Sequence, residues 1–160
     1  MDESTTSPGT VPQANLALSR ADRERSLDAL HLLELHAGSA APGREHEWLA
    51  GVRTAISTLE HALGQQQGNA APDESVLSNI ERDEPRLQRR VRELRQRYQT
   101  IHDEVIALRE QLDRTDKADT IDVTDIRQKL ERLASELRYH RARETDIVYE
   151  AYAVDLGEGD

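Results

Sequence analysis

The residues best equipped for chemistry lie near the end of the chain. His140 and Glu144 are one helical turn apart, so on a helix an imidazole and a carboxylate stack on one face. They interrupt an apolar seam: Ile126, Leu130, Leu133, Leu137, His140, Glu144, Ile147 and Ala151 recur at alternating steps of four and three. A seam position is largely desolvated. A polar group there without a partner costs about 1–3 kcal/mol, and a lone charge costs more. Each must therefore meet a hydrogen bond, its neighbour, water or a metal.

A second seam of the same rhythm precedes it: Leu87, Val91, Leu94, Tyr98, Ile101, Val105, Leu108 and Leu112. The polar stretch Asp113 to Asp125 joins the two, with Asp122 and Thr124 as candidate N-caps. Two such seams around one connection predict an antiparallel helical hairpin. With Leu112 beside Ile126, Leu137 meets Ile101 and Leu133 meets Val105. His140 then meets Tyr98, with Glu144 near Leu94 and His102 at the edge of the seam. Such a layer can also do no chemistry at all, and fix helix register as a buried Asn does in coiled coils.

Upstream, Leu27, Leu30 and Leu33 or Leu35 predict a helix from about Arg20 to Ala37, broken by Gly38 to Gly43. Trp48, Leu49, Val52, Ile56, Leu59 and Leu63 form one helical stripe within a second helix, Arg44 to Gln66. Val76, Leu77 and Ile80 suggest a short helix ending at Asp83-Glu84-Pro85, where Pro85 can restart a helix. The expected fold is all-α: an antiparallel up-down bundle of four main helices. Residues 1–13 read as a disordered tail, 14–156 as one domain and 157–160 as a C-terminal fray.

The stretch His140-Arg-Ala-Arg-Glu144, followed by TDIVYEAY, resembles the closing helix of hemerythrin-like (HHE cation-binding) domains. The likeness covers roughly residues 86–156. It implies a four-helix bundle with His140, Glu144 and His102 as metal ligands and Tyr98 as a further cofactor-binding group. The implied cofactor is non-haem iron, in a mononuclear or degenerate di-iron site, and the implied role is binding or sensing iron or oxygen. The pattern departs from the family elsewhere. No second His-x-x-x-Glu or His-x-x-x-Asp set sits on a helical seam, and His46 and His61 project away from the second stripe. A metal-free bundle acting as a protein–protein interaction module is the alternative from another class.

Composition narrows the rest. The chain has 160 residues, no Cys and a net charge of −10. Leu, Ile and Val supply 34 residues, so the core depends on good patterning. The absence of Cys excludes disulfides, thiolate metal sites and a Cys nucleophile. The acidic balance argues against nucleic acid, and the arginines of RLQRRVRELRQR lie off the seam without stacking aromatics. His46-Glu47 lacks the second histidine of a zincin motif, and His31 and His36 do not share a face. No phosphate loop or nucleophile elbow occurs, so no enzyme is expected. No membrane span is present. The opening MDESTTSPGTVPQ does not read as a signal peptide, and a cytoplasmic monomer or homodimer is expected. Tyr149 and Tyr152 are expected to cap the core. The substitution His140→Leu separates the two functions: it strips bound metal under the first, and is neutral or stabilising in a urea melt under the second.

Overall fold

The computed structural model describes residues 10–157, with side chains from 15 to 153. Among them are five α-helices, one 3-10 turn and no strand: α1 (Thr10–Ala37), α2 (Glu45–Ala70), α3 (Val76–Asp83), the turn Pro85–Leu87, α4 (Gln88–Thr115) and α5 (Val123–Gly157). No helix among the described residues is long and apolar enough to cross a membrane. The all-α expectation holds.

Two helix ends lie beyond the expected limits. α1 starts ten residues before Arg20, so residues 10–13, expected in the tail, are helical. Pro12 fits there because first-turn N–H groups have no helical acceptor. The helix is held by tertiary contacts: Leu16 packs on the apolar cluster around α3, and the Asn15 amide donates to the Glu74 carbonyl. The remainder of the expected tail, residues 1–9, and residues 158–160 of the fray lie outside the described residues. α2 runs one turn past Gln66 despite Gly64 and Gly68, which cost helix propensity. Here α1 supplies the difference: Arg25 donates to Gln65, Ser26 to Gln66, and Asn69 to Asp22.

The breaks follow local rules. Gly43 has φ +76°, a backbone conformation that favours glycine. Ser75 caps α3 by accepting from the Ser78 N–H at 3.2 Å, and Asp122 caps α5 by accepting from the Asp125 N–H at 3.0 Å. Arg127 of α5 ties down the α1–α2 loop. Its guanidinium donates to the carbonyls of Ala37 (2.9 Å) and Ser39 (2.6 Å) and lies 5.4 Å over the Trp48 ring.

α1 packs on α2, α2 on α4, α4 on α5, and α5 on α1. Contacts that rise along α4 fall along α5: Arg90 with Glu150 (2.6 Å), Tyr98 with His140, and Gln111 with Lys129 (3.1 Å). The pairing of Tyr98 with His140 is the register expected from the seams. Every seam position on both helices is buried. On α1, Leu30 and Leu33 are buried, whereas Leu35 is 71% exposed.

The apolar interior has two parts. The larger holds Leu30 and Leu33, the α2 stripe, Tyr98 to Leu112 and Ile126 to Leu137. The smaller holds α3, Leu87, Val91, Leu94, Ile147 and Ala151. Between them the buried residues are polar. Tyr152 packs on the smaller cluster as expected, but Tyr149 points outward at 73% exposure, because it sits on the side of α5 opposite the seam. Replacing the fully buried Leu59 with Ala is expected to cost about 2–5 kcal/mol in urea unfolding. Leu35→Ala is expected to stay within about 0.5 kcal/mol.

Candidate functional site

Each of the four long helices sends polar groups into the layer between the apolar clusters. α1 contributes Asp22 and Ser26, α2 contributes Gln66, α4 contributes Tyr98, and α5 contributes His140 and Glu144. Asp22, Gln66, His140 and Glu144 are all buried. Buried polar groups require partners, and here most of them are found across helices. The Ser26 hydroxyl donates to Gln66 Oε1 at 2.7 Å, and Gln66 Nε2 donates to Glu144 Oε2 at 3.0 Å. The Tyr98 hydroxyl donates to the Leu63 carbonyl at 3.2 Å. Asp22 accepts from Asn69 (3.0 Å) and from Arg25 (2.9 Å).

Of the residues singled out from sequence, Tyr98, His140 and Glu144 do share this layer, with the Tyr98 and His140 ring centroids 4.9 Å apart. His102 does not join them. It is half-buried, and its Nε2 lies 3.8 Å from where a Cβ on Gly64 of α2 would stand. One residue past the seam position Ile101, it turns about 100° around α4 and meets α2.

His140 and Glu144 also face different surroundings. Burial lowers the His140 pKa to about 4, and the nearby positive charges of Arg97 and Arg143 push the same way. Its Nε2 is buried without a hydrogen-bond partner. Burial raises the Glu144 pKa, against the opposing pull of Arg23 and the Gln66 hydrogen bond. Burial pushes the Tyr98 phenol up, and the charges of Glu144 and Asp22 add to the effect. At neutral pH the imidazole is therefore uncharged and the phenol protonated.

This set does not fit an iron centre. Among the described residues no group of three or more His, Asp or Glu side chains is placed to hold a metal ion. In this layer α2 presents the Gln66 amide, which donates to Glu144, and the positive charges of Arg97 and Arg143 act on His140. What the arrangement can do is lock four helices in register through one hydrogen-bonded layer.

Asp22, Ser26 and Gln66 were missed from sequence, though the spacing carried a signal. Gln66 continues the α2 stripe three residues after Leu63, and Ser26 and Asp22 step back by fours from Leu30.

The two shifts give opposite pH slopes. Unfolded His140 titrates near its ordinary value of about 6.5, and folded His140 titrates at about 4. The unfolded chain therefore takes up the proton first, and stability falls as pH drops through that window, by up to about 3 kcal/mol. Folded Glu144 keeps a proton that the unfolded chain has released, so its contribution is lost as pH rises from its ordinary value toward the raised one. Relative to the parent chain, Glu144→Gln should gain more stability between about pH 4.5 and 6.5. His140→Leu should gain less, with urea midpoints across the range as the check.

In comparisons with known proteins, no protein-family model, curated protein or solved structure matches this chain.

Proposed function

We propose that the four long helices form an antiparallel up-down bundle of the hemerythrin-like kind that works as a metal-free protein–protein interaction module. The closed sequence of neighbours α1–α2–α4–α5 supports the bundle. So do contacts running in opposite directions between neighbours, as between α1 and α2 at Asp22–Asn69 and Ser26–Gln66, and between α2 and α4 at Arg53–Asp113 and Glu60–Arg109. In this reading the polar layer serves register.

The observation that carries the interaction reading is on the outer side of α5. The chain has only four tyrosines, and two of them, Tyr139 and Tyr149, are 64% and 73% exposed. The Arg143 guanidinium lies 5.6 Å over the Tyr139 ring and donates to its hydroxyl at 3.1 Å. Tyr and Arg are the residue types that dominate interface energetics. A pre-stacked pair also loses less side-chain freedom on docking. The fitting partner is a protein with an apolar patch rimmed by carboxylates.

The Arg-rich stretch 86–97, which spans the 3-10 turn and the start of α4, offers less. Each of its six arginines is paired with an acid: Arg86 with Glu84, Arg89 with Glu93, Arg90 with Glu150, Arg92 and Arg95 with Glu81, and Arg97 with Glu136. The iron- or oxygen-sensing reading rests on the unpartnered Nε2 of His140 alone.

Photo-crosslinking amino acids at positions 139 and 149, with exposed Gln128 as control, test the proposal. One discrete protein partner or a second copy is expected from 139 or 149, not from 128, and Arg143→Glu should abolish it. Crosslinking no greater than at 128 defeats the interaction reading. Elemental analysis after anaerobic iron loading separates the alternative: near-stoichiometric iron that His140→Leu removes would replace the metal-free reading.

A further inference from the structure

The outer side of α5 carries a repeat of its own. Arg132, Ser135, Tyr139, Ala142, Asp146 and Tyr149 recur at steps of three and four, and all six are exposed. On a helix such positions form one stripe, here nearly opposite the buried seam of His140 and Glu144. It is the spacing at which two helices pack knobs into holes. The stripe holds both exposed tyrosines, Tyr139 and Tyr149.

Charges beside the stripe choose among partners. Along its α4 side lie Lys129, Glu136, Arg143 and Glu150, one heptad apart and alternating in sign. They cancel, in a chain of net charge −10, so neither a strongly acidic nor a strongly basic protein complements this margin. A second copy laid antiparallel does. With the two-fold axis between His140 and Arg141, Tyr139 of one copy lies over Ala142 of the other, Ser135 over Asp146, and Arg132 over Tyr149. Glu136 then faces Arg143, and Lys129 faces Glu150. A slip of one heptad brings Arg143 to Arg143 or Glu136 to Glu136, depending on its direction. A parallel pair sets Glu131 against Glu136 and Arg138 against Arg143. Flanking charges of this kind fix the orientation and register of helix pairs, and the antiparallel register centred at 140–141 is the one that keeps opposite signs together.

Building on the interaction reading, we infer that the outer face of α5 pairs two copies of this chain as an antiparallel homodimer, with Tyr139 packed on Ala142 and Arg143 paired with Glu136 across the two-fold axis. The Arg143 guanidinium already covers one side of its own Tyr139 ring, 5.6 Å from the centroid, and the small Ala142 leaves room for the ring in the other copy. The stretch Arg132 to Tyr149 makes a contact about 27 Å long. A contact of this size is at the low end for protein pairs, so a dissociation constant of about 10 µM is expected.

The test is sedimentation equilibrium of the full chain from about 1 to 500 µM, which brackets that constant. A monomer–dimer equilibrium is expected. Arg143→Glu sets two carboxylates against each other at both symmetric contacts, and Glu136→Arg sets two guanidiniums against each other. Each variant alone should dimerise about a hundredfold more weakly. Mixing the two restores opposite charges at both contacts, so a heterodimer of near-parental affinity is expected from chains that do not self-associate. Glu136 also pairs with Arg97 at 3.1 Å, so helicity is checked by circular dichroism. If Glu136→Arg fails to fold, Lys129→Glu mixed with Glu150→Lys repeats the exchange at the outer pair. A dimer that Arg143→Glu leaves unchanged, or a mixture no tighter than its components, overturns the antiparallel pairing. A monomer whose positions 139 and 149 crosslink to a different protein overturns the homodimer and upholds the interaction reading. A monomer without such crosslinks overturns both.

Discussion

A polar group sealed from water must find a partner inside the protein, and the centre of this molecule is organised around that demand. Asp22, Ser26, Gln66, Tyr98 and Glu144 come from four helices and are satisfied almost entirely across helix boundaries. Leaving one such group unpaired costs about 1–3 kcal/mol. Sliding any of the four helices by a turn would break one or more of these bonds at once, while apolar contacts could re-form in the new position. The layer therefore selects one arrangement among several that apolar packing alone would accept.

Apolar packing supplies the stability that the layer directs. α2 contributes most of the deeply buried positions, with Leu49, Val52, Ala55, Ile56 and Leu59 all at 0% exposure. The many surface ion pairs add little, because exposed pairs are typically worth about 0–1 kcal/mol. Their use here is to commit many of the arginines to neighbouring carboxylates, as along Arg86 to Arg97, while Tyr139 and Tyr149 stay exposed.

The same layer gives the histidine–carboxylate pair surroundings of two different kinds. His140 and Glu144 share a helix face, yet the imidazole lies among Arg97, Arg143 and the Tyr98 ring, while the carboxylate is hydrogen-bonded by Gln66. Two ligand types at the right spacing are a necessary condition only. A metal needs several lone pairs converging on one point, and among the described residues no three His, Asp or Glu side chains are placed to supply them.

The sequence by itself determined the helical class, the two seams, the α4–α5 register and the burial of His140 beside Tyr98. These follow from periodicity, and periodicity records which side of a single helix is dry. Tertiary structure decided where α1 begins and α2 ends, because contacts such as Asn15 with Glu74 and Asn69 with Asp22 override weak local propensity. It also decided that His102 turns to Gly64 and that Gln66 completes the layer. Those outcomes depend on which helix lies opposite a given face and how closely it approaches, and neither distance is written in the spacing of residues along one chain.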